Sequence, residues 1–336
     1  MRSAVDVLPC APVRTTGGRF MVKTATTPNK QPNQRERMQR EAKSKKQQRR
    51  LLLSGLVAAT VVGIAIAVWA ITSRVGSVPS ANALSQFHTQ DIHSLAFDPG
   101  DANTIFFGHH TGLKISHDAG LSWQDVSVGN VDAMQLAMPA SGGDRRYLAG
   151  HSVFMVSTDG GKTWRNQPTN LPSLDLHTFT ASPSDPLRLY TAPVGFNGLF
   201  TSADGGNQWQ QLPLPPGGSS GMGLAVAPDS PLHLYAGIGT HIAESHDGGK
   251  TWATQPGPTA ETIQLTVDPA GILYAGTVQG LAKRPPDGTW HTLALPAGTA
   301  VFAISVSPMQ PNRVAVVDQQ GHFYRSDDAG QSWAGK

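Results

Sequence analysis

A motif of the form Ser-x-Asp-x-Gly-x-x-Trp recurs along this chain, and no other feature of the sequence restricts its fold as strongly. Residues 116–123 read SHDAGLSW, 157–164 STDGGKTW, 202–209 SADGGNQW, 245–252 SHDGGKTW and 326–333 SDDAGQSW. A worn copy, PDGTW at 286–290, fills the remaining gap. The aspartates are Asp118, Asp159, Asp204, Asp247, Asp287 and Asp328, at steps of 41, 45, 43, 40 and 41 residues. A fixed period near 42 residues marks one supersecondary unit repeated six times, and its length suits a four-stranded propeller blade.

The text between motifs can be parsed into strands. Each unit opens on an apolar run that ends at a proline, at positions 99, 139, 183, 228, 269 and 308. These runs fit inner strands packed on both faces. A second strand, a third strand running into the motif, and an outer strand starting at its tryptophan complete the blade. The predicted fold is an all-β, six-bladed β-propeller over residues 84–336. The last unit retains only Trp333 to Lys336 for its outer strand. An open edge exposes unpaired backbone groups, so residues 83–90 are expected to supply the missing strand and close the ring.

Asp-x-Gly between apolar strands is a turn signal: the carboxylate accepts local backbone N–H groups and glycine takes the positive-φ position. All six copies are therefore read as structural. Trp123, Trp164, Trp209, Trp252, Trp290 and Trp333 are expected to cover their hairpins, and a fully buried Trp164 or Trp252 would cost about 3–5 kcal/mol to truncate to Ala.

Charge divides the chain. Residues 1–50 carry 13 Lys/Arg against three acids, whereas from Leu84 onward there are 12 Lys/Arg and 20 Asp/Glu, a net of −8. A nucleic-acid reader needs basic charge on its folded domain, so no nucleic-acid partner is expected. The only cysteine is Cys10, so the repeat domain has no disulfide framework. Residues 1–50 lack the apolar content for a core and read as a disordered basic cytoplasmic tail, with Met21 a plausible start. Residues 51–72 hold 22 residues without a charge, about 33 Å as a helix and enough to span a bilayer core. Basic residues crowd its N-terminal side. The positive-inside rule then puts the N-terminus in the cytoplasm and the repeat domain outside, joined by a linker at 73–83. Ala81-Asn82-Ala83 resembles a signal-peptidase site, and cleavage after Ala83 stays open as the alternative.

The five full motifs and their spacing resemble the BNR/Asp-box repeat, over residues 92–336. That repeat occurs in sialidases, sortilin-like ectodomains, xyloglucan-cleaving glycosidases and photosystem II assembly propellers. Leu234-Tyr235-Ala236-Gly237 and the Gly-Leu pairs before several motifs look most like glycosyl-hydrolase-like bacterial members, here a membrane-anchored one. The resemblance implies the fold and leaves activity open. Sialidases of this class carry Arg-Ile-Pro and a Tyr/Glu nucleophile pair. Arg-Ile-Pro is absent here. Tyr147, Tyr190, Tyr235 and Tyr274 share one second-strand slot, Tyr324 lies in a third strand, and all five read as core, so a sialidase is not expected.

The family pattern puts ligands at the axial mouth, on the rim away from the boxes. Asp91, Asp132, Asp175 and Glu261 map there, at or just before first strands. His93 and His177 follow two of them in Asp-x-His pairs, whose members share a side because strand side chains alternate. The second-to-third connections add His109, His110, His151, His241, Asp318 and His322. Three functions follow. The leading one is a non-catalytic, membrane-tethered extracytoplasmic binding or scaffold domain for a protein or glycan, acting as a monomer. The second is an Asp-box glycoside hydrolase with Asp91, Asp132 or Asp175 as paired acids. The third is a divalent-metal propeller using His93, His109, His110, His151, His177 and His241. Three imidazole or carboxylate groups within about 4–5 Å of a common point favour metal. His117, His233, His246 and His291 map to the box rim or outer strands and are discounted.

Overall fold

The structure is a computed structural model that describes residues 83–89, 91–295 and 300–334. The tail at 1–50, the apolar stretch at 51–72 and the linker up to residue 82 lie outside the described residues. Among the described residues no helix is long and apolar enough to cross a membrane.

The described chain forms six four-stranded antiparallel sheets. Five are simple meanders; blade 1, for example, runs Ile92–Asp98, Asp101–His109, Gly112–Ser116 and Gln124–Val126. The inner strands of the other blades are Gln135–Ala137, Phe179–Ala181, Leu224–Val226, Thr262–Val267 and Val301–Val306. Each inner strand packs on the next, and the last packs back on the first, closing a six-fold ring. The apolar runs of the sequence are thus consumed on both faces of each blade. Six buried clusters result among the described residues, one at each blade junction.

The closure differs from the other blades. Ser85–Gln86 pairs with the third strand of blade 6 through Ser85↔Phe323 and Gln86↔His322. The flanking amides of Leu84 and Phe87 donate to the carbonyls of Phe323 and Gly321 at 2.9 and 2.8 Å. Ala334 bridges Arg325 further along the same edge. The first and last segments of the repeat domain therefore share one strand's edge, which leaves fewer backbone groups unpaired than either alone.

The boxes are turn clamps. In blade 1, Asp118 Oδ1 accepts the amides of Leu121 and Ser122 at 3.0 and 2.8 Å, and Ser116 Oγ accepts the Gly120 amide at 2.8 Å. Gly120 sits at φ +93° with its Cα against the Phe323 ring of the preceding blade, so a Cβ there would collide at 2.1 Å. The box thus fixes a hairpin and a blade contact together. The same network recurs around Asp159, Asp204, Asp247 and Asp328. The worn copy uses another device: the Arg284 guanidinium lies over Tyr235 and Trp290 at 5.5 and 5.7 Å, and Trp290 Nε1 donates to Pro256 O. Burial of the tryptophans is uneven. Trp209 and Trp333 are buried, whereas Trp123, Trp164, Trp252 and Trp290 are half-buried, so the full truncation cost expected for Trp164 and Trp252 does not apply.

Candidate metal centre at the propeller mouth

A cavity of about 430 Å³ runs along the axis, lined by inner strands of all six blades, with Gln135 and Gln264 among its polar groups. At the rim opposite the boxes it meets His177, and there a constellation of six side chains spans blades 1 to 3.

Backbone packing builds it. The segment entering blade 2 wedges against blade 1, where the Ala133 amide donates to the His109 carbonyl at 3.1 Å. On its other side the Asp132 carbonyl presses on Gly150, where an added Cβ would lie 1.7 Å from that oxygen. Only glycine admits this approach. It leaves Asp132 7% exposed at the blade junction, with its carboxylate facing three imidazoles. His93 Nε2 is 2.9 Å from Oδ1, and His110 Nδ1 and His151 Nδ1 are 2.9 and 2.5 Å from Oδ2.

His151 connects this group to a second. With Nδ1 on Asp132, its Nε2 points at His177 Nε2 at 2.6 Å and Asp175 Oδ1 at 3.2 Å; His177 Nε2 and Asp175 Oδ1 are 3.1 Å apart. Asp175 and His177 come from one Asp-x-His pair, their side chains on the same side of the chain. The other pair does not close on itself: His93 meets Asp132 of the next blade, while Asp91 is exposed and acts on His93 only as a weaker favourable charge. Burial is the largest influence on His93 and holds its pKa below the ordinary histidine value.

Two sets of three groups thus have one donor atom each within 4.8 Å of one another: His93, His110 and Asp132, and His151, Asp175 and His177. Several of these distances lack hydrogen-bond geometry. His93 Nε2, Asp132 Oδ1 and Asp175 Oδ1 are buried atoms without a hydrogen-bond partner, an arrangement that is costly unless something else satisfies them. Imidazole nitrogens and a carboxylate oxygen converging on one point form the donor set of a divalent transition metal. Metal–ligand bonds of about 2.0–2.1 Å in a tetrahedron put ligands roughly 3.3 Å apart. Asp175 Oδ1 lies 3.1–3.2 Å from both rings, close to that, and the two ring nitrogens, 2.6 Å apart, would separate by about 0.7 Å to admit an ion.

Two expected ligands do not join. His109 is buried and stacks on Phe107 at 5.8 Å, because it ends the second strand and points to the opposite side from His110. His241 stands exposed at the start of the third strand of blade 4, outside the blades that carry the constellation. Asp318 is buried at its own turn, where it accepts the amides of Gln320 and His322 at 2.9 Å. The five tyrosines are buried in the blades, and Tyr147 and Tyr190 hydroxyls donate to Pro186 and Pro231 carbonyls at 2.8 Å.

On the box rim, His233 and His246, two of the histidines discounted above, converge with Glu244 as a third group. The register carries a signal for it: Leu234 pairs with Ser245 and Tyr235 with Glu244, which places His233 and His246 opposite one another one step further on.

Repeat, fold and ring closure define the class: the protein is an all-β six-bladed propeller built on BNR/Asp-box repeats. The BNR/Asp-box repeat profile matches residues 155–166, the third strand and box of blade 2. No curated protein matches the chain in sequence. Among solved structures the chain is similar to YCF48 bound to a D1 peptide, at 21% identity over 74% of this chain and 82% of that one, with a TM-score of 0.47. It is similar to a GH74 xyloglucanase from Xanthomonas campestris, at 20% identity over 75% of this chain, with a TM-score of 0.52. It covers 46% of that enzyme, under half its length. A gluconolactonase from Xanthomonas campestris is 14% identical over 72% of this chain and 87% of its own, with a TM-score of 0.55. Likeness at these identities shows the fold, and one fold hosts unrelated functions, so the fold alone does not select between binding and catalysis.

Proposed function

We propose that this chain is a membrane-tethered, extracytoplasmic binding propeller whose mouth holds a divalent metal ion in contact with its protein or glycan ligand. One observation carries the metal: His151 Nε2, His177 Nε2 and Asp175 Oδ1 converge at 2.6–3.2 Å on the open rim. The two imidazole nitrogens can share a hydrogen bond, but Asp175 Oδ1 beside them is buried without a partner. A proton satisfies two of the three atoms, whereas an ion satisfies all three. Asp132 supports the reading from behind, because a carboxylate on His151 Nδ1 fixes the ring with Nε2 free to ligate. The exposed flank of His151, Asp175 and His177 gives a ligand carboxylate or hydroxyl access to an open position on the ion. The tether is supported by the uncharged span 51–72 and its basic N-terminal flank, the pattern of an N-in anchor that would carry the propeller outside the cell.

Calorimetric titration of the full chain in detergent with Zn(II), using Ca(II) as control, tests the metal. The proposal predicts Zn(II) binding that H177A weakens at least 100-fold and D132N weakens about 10–100-fold by loosening His151. Binding unaltered by H177A overturns it. A panel of chromogenic glycosides tests the non-catalytic part: turnover abolished by D132N and D175N makes the protein a hydrolase instead.

A further inference from the structure

We infer that blade 4 carries a second, separate transition-metal site on the opposite rim, formed by His233, Glu244 and His246. His233 immediately precedes the second strand of the blade, Leu234–Ile238, and Glu244 lies in the third, His241–Ser245. His246 is the second residue of the box. All three stand on paired strands or a clamped turn, so their positions are set by backbone geometry and not by a free loop.

Asp229 accepts from His233 Nδ1 at 3.0 Å and orients the ring from behind, so that Nε2 faces the third strand. Nε2 meets Glu244 Oε1 at 2.8 Å. Either a proton or a metal ion can hold that nitrogen against the carboxylate. His246 Nε2 approaches the same oxygen at 3.5 Å, and the two imidazole rings are 4.2 Å apart. A single proton joins His233 to Glu244 and leaves His246 unused; a metal ion uses all three.

The surroundings of Glu244 match those of a ligand. Its other oxygen accepts from Gln255 Nε2, and Gln255 Oε1 accepts from Arg284 Nη1 at 2.9 Å. Arg284 is itself held over Tyr235 and Trp290, so the chain of supports runs from the worn box of blade 5 to the carboxylate. His233 and Glu244 are largely buried, while His246 is 72% exposed. The ion thus has a fixed inner side and an open outer side. Two imidazoles and one carboxylate suit Zn(II) and similar ions over calcium or magnesium.

The test counts metal equivalents on the full chain in detergent, after chelation and re-equilibration with Zn(II), by metal analysis and calorimetry. H246A removes an exposed side chain, while the Asp247 clamp is built from Ser245, Asp247 and Thr251, so folding is retained. The expected result is loss of one Zn(II) equivalent in H246A, and in D229N an equivalent weakened about 10–100-fold. H177A at the mouth leaves that equivalent intact, so the two sites are scored independently. Equal Zn(II) stoichiometry and affinity in wild type and H246A overturn the inference and leave a proton-bridged pair.

Discussion

Trp123 Nε1 of the first box donates to Ser85 Oγ at 3.1 Å, tying blade 1 to the strand that completes blade 6. Phe87 reinforces the joint: it is buried, stacks on Phe107 at 3.8 Å and meets the Trp123 edge at 5.0 Å. The seam of the ring is therefore an aromatic cluster as well as a strand pairing. F87A should destabilise the protein by about 3–5 kcal/mol, and S85A by about 0.5–1.5 kcal/mol. Urea unfolding midpoints check both; an F87A midpoint equal to wild type contradicts closure by this segment.

The box tryptophans should not be equivalent. Trp209 is buried, packs at 6.1 Å from the Phe154 ring and donates to Gly206 O. Trp252 donates to its own Gly249 O but keeps part of its ring in solvent. W209A should cost about 3–5 kcal/mol, and W252A clearly less. Equal shifts in the unfolding midpoint would contradict this ranking.

The boxes should also set the acid limit. The hydroxyls of Ser122, Thr163 and Thr251, aided by backbone amides, hold Asp118, Asp159 and Asp247 down to about 2. A carboxylate with a folded pKa below its unfolded value contributes stability that is complete above the unfolded pKa, near 4, and is lost as pH falls towards the folded one. The unfolding midpoint should therefore decline between about pH 4 and pH 2. The double variant D159N/D247N, less stable at pH 7, should show a flatter decline; an unchanged slope contradicts the assignment.

Much of this fold is legible in the sequence because its information is periodic. The spacing of Asp118 to Asp328 sets the blade register, and the strand expected at residues 83–90 is met by Ser85–Gln86 on the third strand of blade 6. The mouth is legible only as a set of candidates. The Asp175–His177 pair meets because both residues belong to one segment. The partner of His93 depends instead on how blade 2 wedges against blade 1 at Gly150, a contact no local pattern encodes. His109 and His110 are adjacent, yet alternation turns one into the blade and the other to the rim. His233, Glu244 and His246 were hidden by the sound reading of the boxes as structural: the clamp around Asp247 is structural, and the residues beside it are free to carry chemistry.

Zinc-edge anomalous diffraction from Zn(II)-equilibrated crystals would locate a metal ion at the mouth. The expected map holds an anomalous peak bonded to His151 Nε2, His177 Nε2 and an Asp175 oxygen at about 2.0–2.2 Å. A map with no peak there, and with His151 and His177 hydrogen-bonded to each other through a proton, would contradict it.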